Sequence, residues 1–212
     1  MSTVLRLVRR GLISVDAALI QVSPPDDSGM VSLGVSVDIM KEIIERCGLI
    51  IAQVNAFMPY THGGSTIDPS RVDFFVHHDE PLLEYRMPPG DEVTRRIGEY
   101  VSRLVPDGST IQVGYGRVTN AVLQGLSQRR HLGVHTEILT DGIVDLMKTG
   151  VVDNTNKTLD PLRTVASMCM GSSATYDFIH DNPSVALMGS AYTNDHLTIA
   201  RQEHMVAINS AL

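Results

Sequence analysis

Between Ser109 and Gly150 the chain alternates in a way that few architectures accommodate. Residues 111–113 form a short apolar run, and Gly114-Tyr115-Gly116 stops it. Val118, Ala121, Val122, Leu123 and Leu126 then recur at close to helical spacing. Residues 132–134 resume an extended run that reaches His135-Thr136-Glu137. Asp141-Gly142 follows, and Ile143, Val144, Leu146 and Met147 mark another short helix. Strand, glycine loop, helix, strand, acid, helix is the order expected of an open parallel sheet with crossover helices. In such a sheet the glycine loop and Glu137 both fall at carboxyl ends of neighbouring strands, which is where ligands bind. On spacing alone, the glycine pair is either a phosphate cradle or a plain turn. It lacks the third glycine of the dinucleotide fingerprint, because position 119 is threonine. A carboxylate among apolar residues, as at Glu137, is costly unless it is paired, solvated or functional.

The rest of the chain follows the same alternation. A basic helix over residues 5–12 carries Arg6, Arg9 and Arg10, and Ala17–Val22 reads as a buried strand. Residues 23–29 are a turn cluster, 31–33 are extended, and a helix capped by Ser36 or Asp38 runs to Arg46. Leu49–Val54 is nearly all apolar, as a strand covered on both faces should be. A polar loop occupies 55–64 and a strand 73–78. Pro81, Pro88, Pro89 and Gly90 make residues 80–90 the linker between two units. A helix over 91–104 is expected to face Val93, Ile97, Tyr100, Val101 and Leu104 inward. Strands at 164–170, 185–188 and 205–208 alternate with helices at 172–180 and 195–202. Met168, Met170 and Met188 read as core packing.

Composition removes several function classes. The 212 residues are 43% hydrophobic and 19% charged, ordinary for a globular chain. A net charge of −7 gives no basic footprint, so nucleic acid is not an expected partner. No segment reads as a membrane span. Cys47 and Cys169 sit in apolar surroundings and read as free thiols. His77 and His78 are adjacent on a strand and point to opposite faces, so no metal site is expected there. His135 with Glu137 lacks further ligands. Ser172-Ser173 lacks the Gly-x-Ser-x-Gly elbow of a serine nucleophile.

Several strings carry a resemblance. They include Gln21-Val22-Ser23-Pro24-Pro25-Asp26, Met58-Pro59-Tyr60-Thr61-His62-Gly63, His78-Asp79-Glu80-Pro81, Gly133-Val134-His135-Thr136-Glu137 and Asp141-Gly142-Ile143-Val144-Asp145. Together they resemble the acetyl-CoA hydrolase/transferase family, over essentially the whole chain from Asp16 onward. The resemblance implies an α/β fold of two CoA-transferase-like (NagB/RpiA-like) units with mostly parallel sheets, each incomplete. Residues 1–86 would be the C-terminal part of the first unit. Residues 87–212 would be the N-terminal part of the second, with the catalytic glutamate.

The family's glutamate falls on Glu137, which would act as nucleophile in a ping-pong transfer of coenzyme A between acyl-CoA and a short-chain carboxylate. The family's coenzyme A loop falls on Gly114, Tyr115, Gly116, Arg117 and Val118, and Leu212 is also expected to bind coenzyme A. Tyr115, Arg117 and Thr119 depart from the family pattern; Arg117 either pairs with a phosphate or is a solvated charge. Asn55, Met58 and His62 would touch substrate. No metal and no permanently bound cofactor are implied, and the setting is cytoplasmic. Family members extend further at both ends. The resemblance therefore also implies exposed apolar surface, and either a homo-oligomer or a complementing chain. Acetyl-CoA hydrolysis and a non-catalytic remnant that binds coenzyme A or a partner are the alternatives.

Overall fold

The computed structural model describes residues 2–210, so Leu212 lies outside the described residues. The first part of the chain runs α1 (Ser2–Arg9), β1 (Ala17–Val22), β2 (Val31–Ser32), α2 (Met40–Ile44) and β3 (Leu49–Val54). It continues with β4 (His62–Gly63), β5 (Thr66–Ile67) and β6 (Phe74–His77). After an extended segment come α3 (Glu92–Ser102), β7 (Thr110–Val113), α4 (Arg117–Gly125), β8 (Gly133–Val134) and β9 (Ile138–Leu139). Then follow α5 (Asp141–Lys148), β10 (Thr164–Ala166), β11 (Met168–Cys169) and α6 (Ser173–Ile179). The chain closes with β12 (Val185–Leu187), α7 (Ser190–Thr193), α8 (His196–Ala200) and β13 (Met205–Ile208).

Of the eight strand pairings among the described residues, seven are parallel, and β2 with β5 is the exception. The fold is thus mixed α/β with mostly parallel sheets. β3 lies between β1 and β6, and β7 lies between β13 and β8. Ile50, Ala52 and Val54 of β3, Ile111 and Val113 of β7 and Val134 of β8 are buried in one apolar core. The apolar runs of the sequence become central strands because both faces of a parallel sheet need cover.

The two parts of the chain are stitched together. β4, inside the expected polar loop, pairs with β12, and Tyr60 N–H donates to His180 Nδ1 at 3.0 Å. The amides of Val37 and Asp38 both donate to the Ser167 carbonyl. That draw on Ser167 splits the strand expected over 164–170 into β10 and β11, which join different sheets. Residues 80–90, without helix or strand, lie across the second part as a strap. Tyr176 Oη donates to the Leu83 carbonyl, and Tyr85 N–H to the Gly171 carbonyl.

Two helices differ from expectation. α2 is short, and no side chain caps it: Ile39 stands at its N-cap. α3 begins as expected, with the Asp91 side chain accepting from Thr94 N–H, but it faces the other way. Its buried side is Thr94, Gly98 and Ser102. A Cβ at Gly98 would sit 2.6 Å from the Ala121 backbone, so α3 and α4 touch through small residues at a spacing that large side chains forbid. Val101 reaches the core, while Val93, Ile97, Tyr100 and Leu104 point outward at 65, 40, 58 and 78% exposure. Leu19, Phe74 and Val76 are also exposed on the β1–β3–β6 sheet. Apolar faces of this kind mark interaction surfaces.

Candidate active site

The glycine loop leaves the carboxyl end of β7. Gly116 has φ +153°, a backbone state that side chains rarely adopt, and a Cβ at Gly114 would collide with the Asn209 carboxamide. The loop can therefore bring its backbone close to a ligand. α4 starts on Gly116 and α5 on Thr140, and neither N-terminus receives a hydrogen bond from its cap side chain. Unpaired N–H groups at helix starts favour anions. Both helix starts wall one small cavity of about 30 Å3, together with Tyr115, Asp141 and the strap residues Tyr85 and Met87. Tyr85 and Tyr115 meet with ring centroids 5.3 Å apart. Arg117 is exposed. Asp91 lies nearby: hydrogen bonds from Thr94 hold its carboxyl below the usual range, and Arg117 adds a smaller pull.

Glu137 is positioned by its backbone. Thr136 Oγ1 donates to the Val113 carbonyl at 2.9 Å and accepts from Val113 N–H at 3.2 Å. That clasp carries the backbone of Glu137 one step beyond the end of β7, the strand that leads into the glycine loop. On the other side the Glu137 carbonyl accepts from Ser167 N–H at 2.9 Å and Met168 N–H at 3.1 Å. The residue is half-buried, and its carboxylate takes part in none of the ion pairs found among the described residues. Glu137 lines neither neighbouring space itself; Thr140 and Asp141 wall the glycine-loop cavity, and Met168 walls a groove on the other side.

Beneath Glu137, His135 is fully buried, and its Nε2–H donates to the Thr193 carbonyl at 3.0 Å. Burial pushes its pKa down, so the ring is neutral, and its Nδ1 has no partner among the described residues. Lys157 is also buried, and its Nζ donates to the carbonyls of Val134 at 2.9 Å and Arg163 at 2.6 Å. Burial lowers its pKa to about 8. The unfolded chain keeps that proton up to about pH 10.4, so between pH 8 and 10.4 it binds more protons than the fold. Stability from this site therefore rises with pH across that window and is lost as pH falls through about 8. Urea unfolding at pH 7.5 and 10 should show wild type gaining on Lys157→Met by about 2 kcal/mol. A constant difference between the two proteins would refute it.

The expected substrate residues separate. Asn55 is fully buried, and its carboxamide binds both backbone groups of Glu80, anchoring the strap. Met58 is buried under Gly34 and borders two spaces. His62 faces the second of these, with Nε2 2.9 Å from Asp181 Oδ1. Asp26 borders it too, held down at about 2 by hydrogen bonds from Ser28 and Tyr60. Sequence reasoning missed the strap residues Tyr85 and Met87, and it placed Met168 and Met170 in the core. They are half-exposed wall residues either side of buried Cys169, an alternation that the Met-Cys-Met spacing carries. Among the described residues no three His, Cys, Asp or Glu are grouped to hold a metal ion. None of the described helices is long and apolar enough to cross a membrane.

A glycine loop and the starts of α4 and α5 wall one cavity at the carboxyl edge of a mostly parallel sheet, the place where such sheets bind ligands. The comparisons name the family. The acetyl-CoA hydrolase/transferase N-terminal domain profile matches residues 1–84, and the C-terminal domain profile of the same family matches residues 171–212. The chain belongs to the acetyl-CoA hydrolase/transferase family. It is 42% identical over 206 residues to the 4-hydroxybutyrate coenzyme A transferase of Clostridium kluyveri, covering 97% of this chain and 48% of that protein. It is 39% identical to the succinyl-CoA:cyclohexane-1-carboxylate CoA transferase of Geobacter metallireducens, covering 93% and 45%. The solved 4-hydroxybutyrate CoA-transferase of Porphyromonas gingivalis superposes with a TM-score of 0.93 at 36% identity, covering 97% of this chain and 53% of that one. The chain spans about half the length of the curated relatives it matches.

Proposed function

We propose that this chain carries the nucleophile and the coenzyme A loop of a CoA-transferase, with acyl-CoA and a short-chain carboxylate of the acetate, butyrate or 4-hydroxybutyrate type as substrates. The observation that supports the reading is the Thr136–Val113 clasp, which carries the Glu137 backbone one step past the strand that leads into the glycine loop. The Glu137 carboxylate attacks the thioester carbonyl, and coenzyme A leaves as a thiolate, giving a mixed anhydride. The thiolate attacks the glutamyl carbonyl of that anhydride, releasing the free acid and leaving a glutamyl-CoA thioester. A second carboxylate reverses both steps. Covalent catalysis of this kind divides one difficult exchange into easier ones. The backbone of Gly114 to Val118 and the start of α4 hold the phosphates; Met58 borders the acyl end, Asn55 secures the strap, and His62 faces the adjoining space beside Asp181. Coenzyme A is a substrate in this scheme, not a resident cofactor.

Gly116→Val should weaken coenzyme A binding by about tenfold or more in calorimetry, because a side chain is strained there and blocks the backbone approach. Unchanged affinity would remove the loop from the site. Hydrolysis is the second reading, favoured by the half-exposure of Glu137, which lets water compete for the anhydride. Acetate release from acetyl-CoA without an acceptor would establish it. The free thiols Cys47 and Cys169 fit a reducing compartment such as the cytoplasm. The outward apolar stripe of α3 fits a second copy or a complementing chain.

A further inference from the structure

We propose that the groove beside Glu137 takes an uncharged acyl chain and disfavours a dicarboxylate, an inference that rests on Glu137 being the nucleophile. The groove, of about 610 Å3, lies between the two parts of the chain. Val35 and Met58 form one wall, Met168, Met170 and Tyr176 the other, and Leu82 of the strap closes one side. Its floor abuts the nucleophile: Ile138 pairs with Met168 in register, and Met168 N–H donates to the Glu137 carbonyl. Tyr85 and Met170 line both this groove and the glycine-loop cavity. The two spaces therefore adjoin at Tyr85 and Met170, and one extended molecule can reach from the phosphate end to the acyl end.

The wall chemistry decides which acyl group fits. No Arg, Lys or His lines the groove among the described residues, and the charged residue that does is Glu80. His78 approaches Glu80 only at 3.9 Å. The distal carboxylate of a succinyl group would meet no counter-charge there, only neutral donors such as Gln21 and Ser36, and would lie next to another carboxylate. Each added methylene instead gains contact with flexible methionine side chains, which adapt to straight and alicyclic chains alike. The relatives' names span both classes, 4-hydroxybutyrate and succinyl-CoA among them, so similarity does not choose between them.

Calorimetry with coenzyme A and its acetyl, butyryl, hexanoyl and succinyl thioesters tests this on the purified chain. Affinity should rise roughly fourfold per methylene from acetyl to hexanoyl. Succinyl-CoA should bind at least about tenfold more weakly than butyryl-CoA. Met168→Arg, which supplies a counter-charge, should reverse that order. A flat series, or succinyl-CoA binding as tightly as butyryl-CoA, overturns the inference and leaves the coenzyme A reading intact. If no thioester binds, the coenzyme A reading fails, and the groove is judged by NMR of methyl-labelled methionine in the wild-type chain. Hexanoate should then shift Met58, Met168 and Met170 but not Met147, which lies outside the groove, with succinate shifting none. Silence at all four methionines, or an equal response to succinate, sinks the groove as well.

Discussion

Glu137→Gln should lower CoA transfer by several powers of ten while leaving thermal unfolding unchanged. The amide is nearly isosteric with the carboxylate but a far poorer nucleophile, and loss of the covalent route removes the low-barrier path altogether. The Glu137 backbone is held by Ser167 and Met168 and its neighbour Thr136 by Val113, so the substitution disturbs none of these bonds. Glu137→Asp should cost roughly 10²-fold, since it withdraws the carboxylate by about 1 Å. Glu99→Gln is the control: Glu99 lies on exposed α3 and pairs with Arg95, and such surface pairs are worth about 0–1 kcal/mol and nothing to the chemistry. Near-normal transfer by Glu137→Gln would move the nucleophile elsewhere. These rates are read in whichever assembly transfers coenzyme A, the chain alone or with a complementing chain.

The second large effect is structural. Gly98→Val should destabilise the fold by about 3 kcal/mol or more, because its Cβ would lie 2.6 Å from the Ala121 carbonyl group, which is backbone and cannot rotate away. For a domain of this size that is a fall of roughly 10 °C in Tm. Ile97→Asp, one residue earlier on the outward face, should change Tm by no more than a degree or two. The reverse ranking by calorimetry, with Ile97 sensitive and Gly98 tolerant, would mean that α3 packs through its apolar stripe after all.

That pair also shows where sequence reasoning stopped. The helix was legible from its apolar period, and Leu49–Val54 and Met205–Ile208 from continuous burial-type runs. The face of α3 was not, because small residues decide which side approaches α4, and a hydrophobic period cannot report contact distance. β4 and β9 span two residues each and exist only through partners 124 and 30 residues further along, Ala186 for His62 and Met168 for Ile138. No local signal marks such strands. Glu137 and the glycine loop were legible as strings, but their placement at one sheet edge depends on the Thr136 hydroxyl reaching Val113. The strap was legible as a break in the chain; its place over the glycine loop was not.

The most direct measurement is chemical trapping. The protein is incubated with acetyl-CoA, treated with borohydride to reduce any acyl thioester, digested and mapped by mass spectrometry. A thioester between coenzyme A and the protein predicts a reduced side chain at Glu137 and at no other carboxylate, absent when acetyl-CoA is omitted. Reduction at a different residue, or active transfer with Glu137 unmodified throughout, would contradict the account.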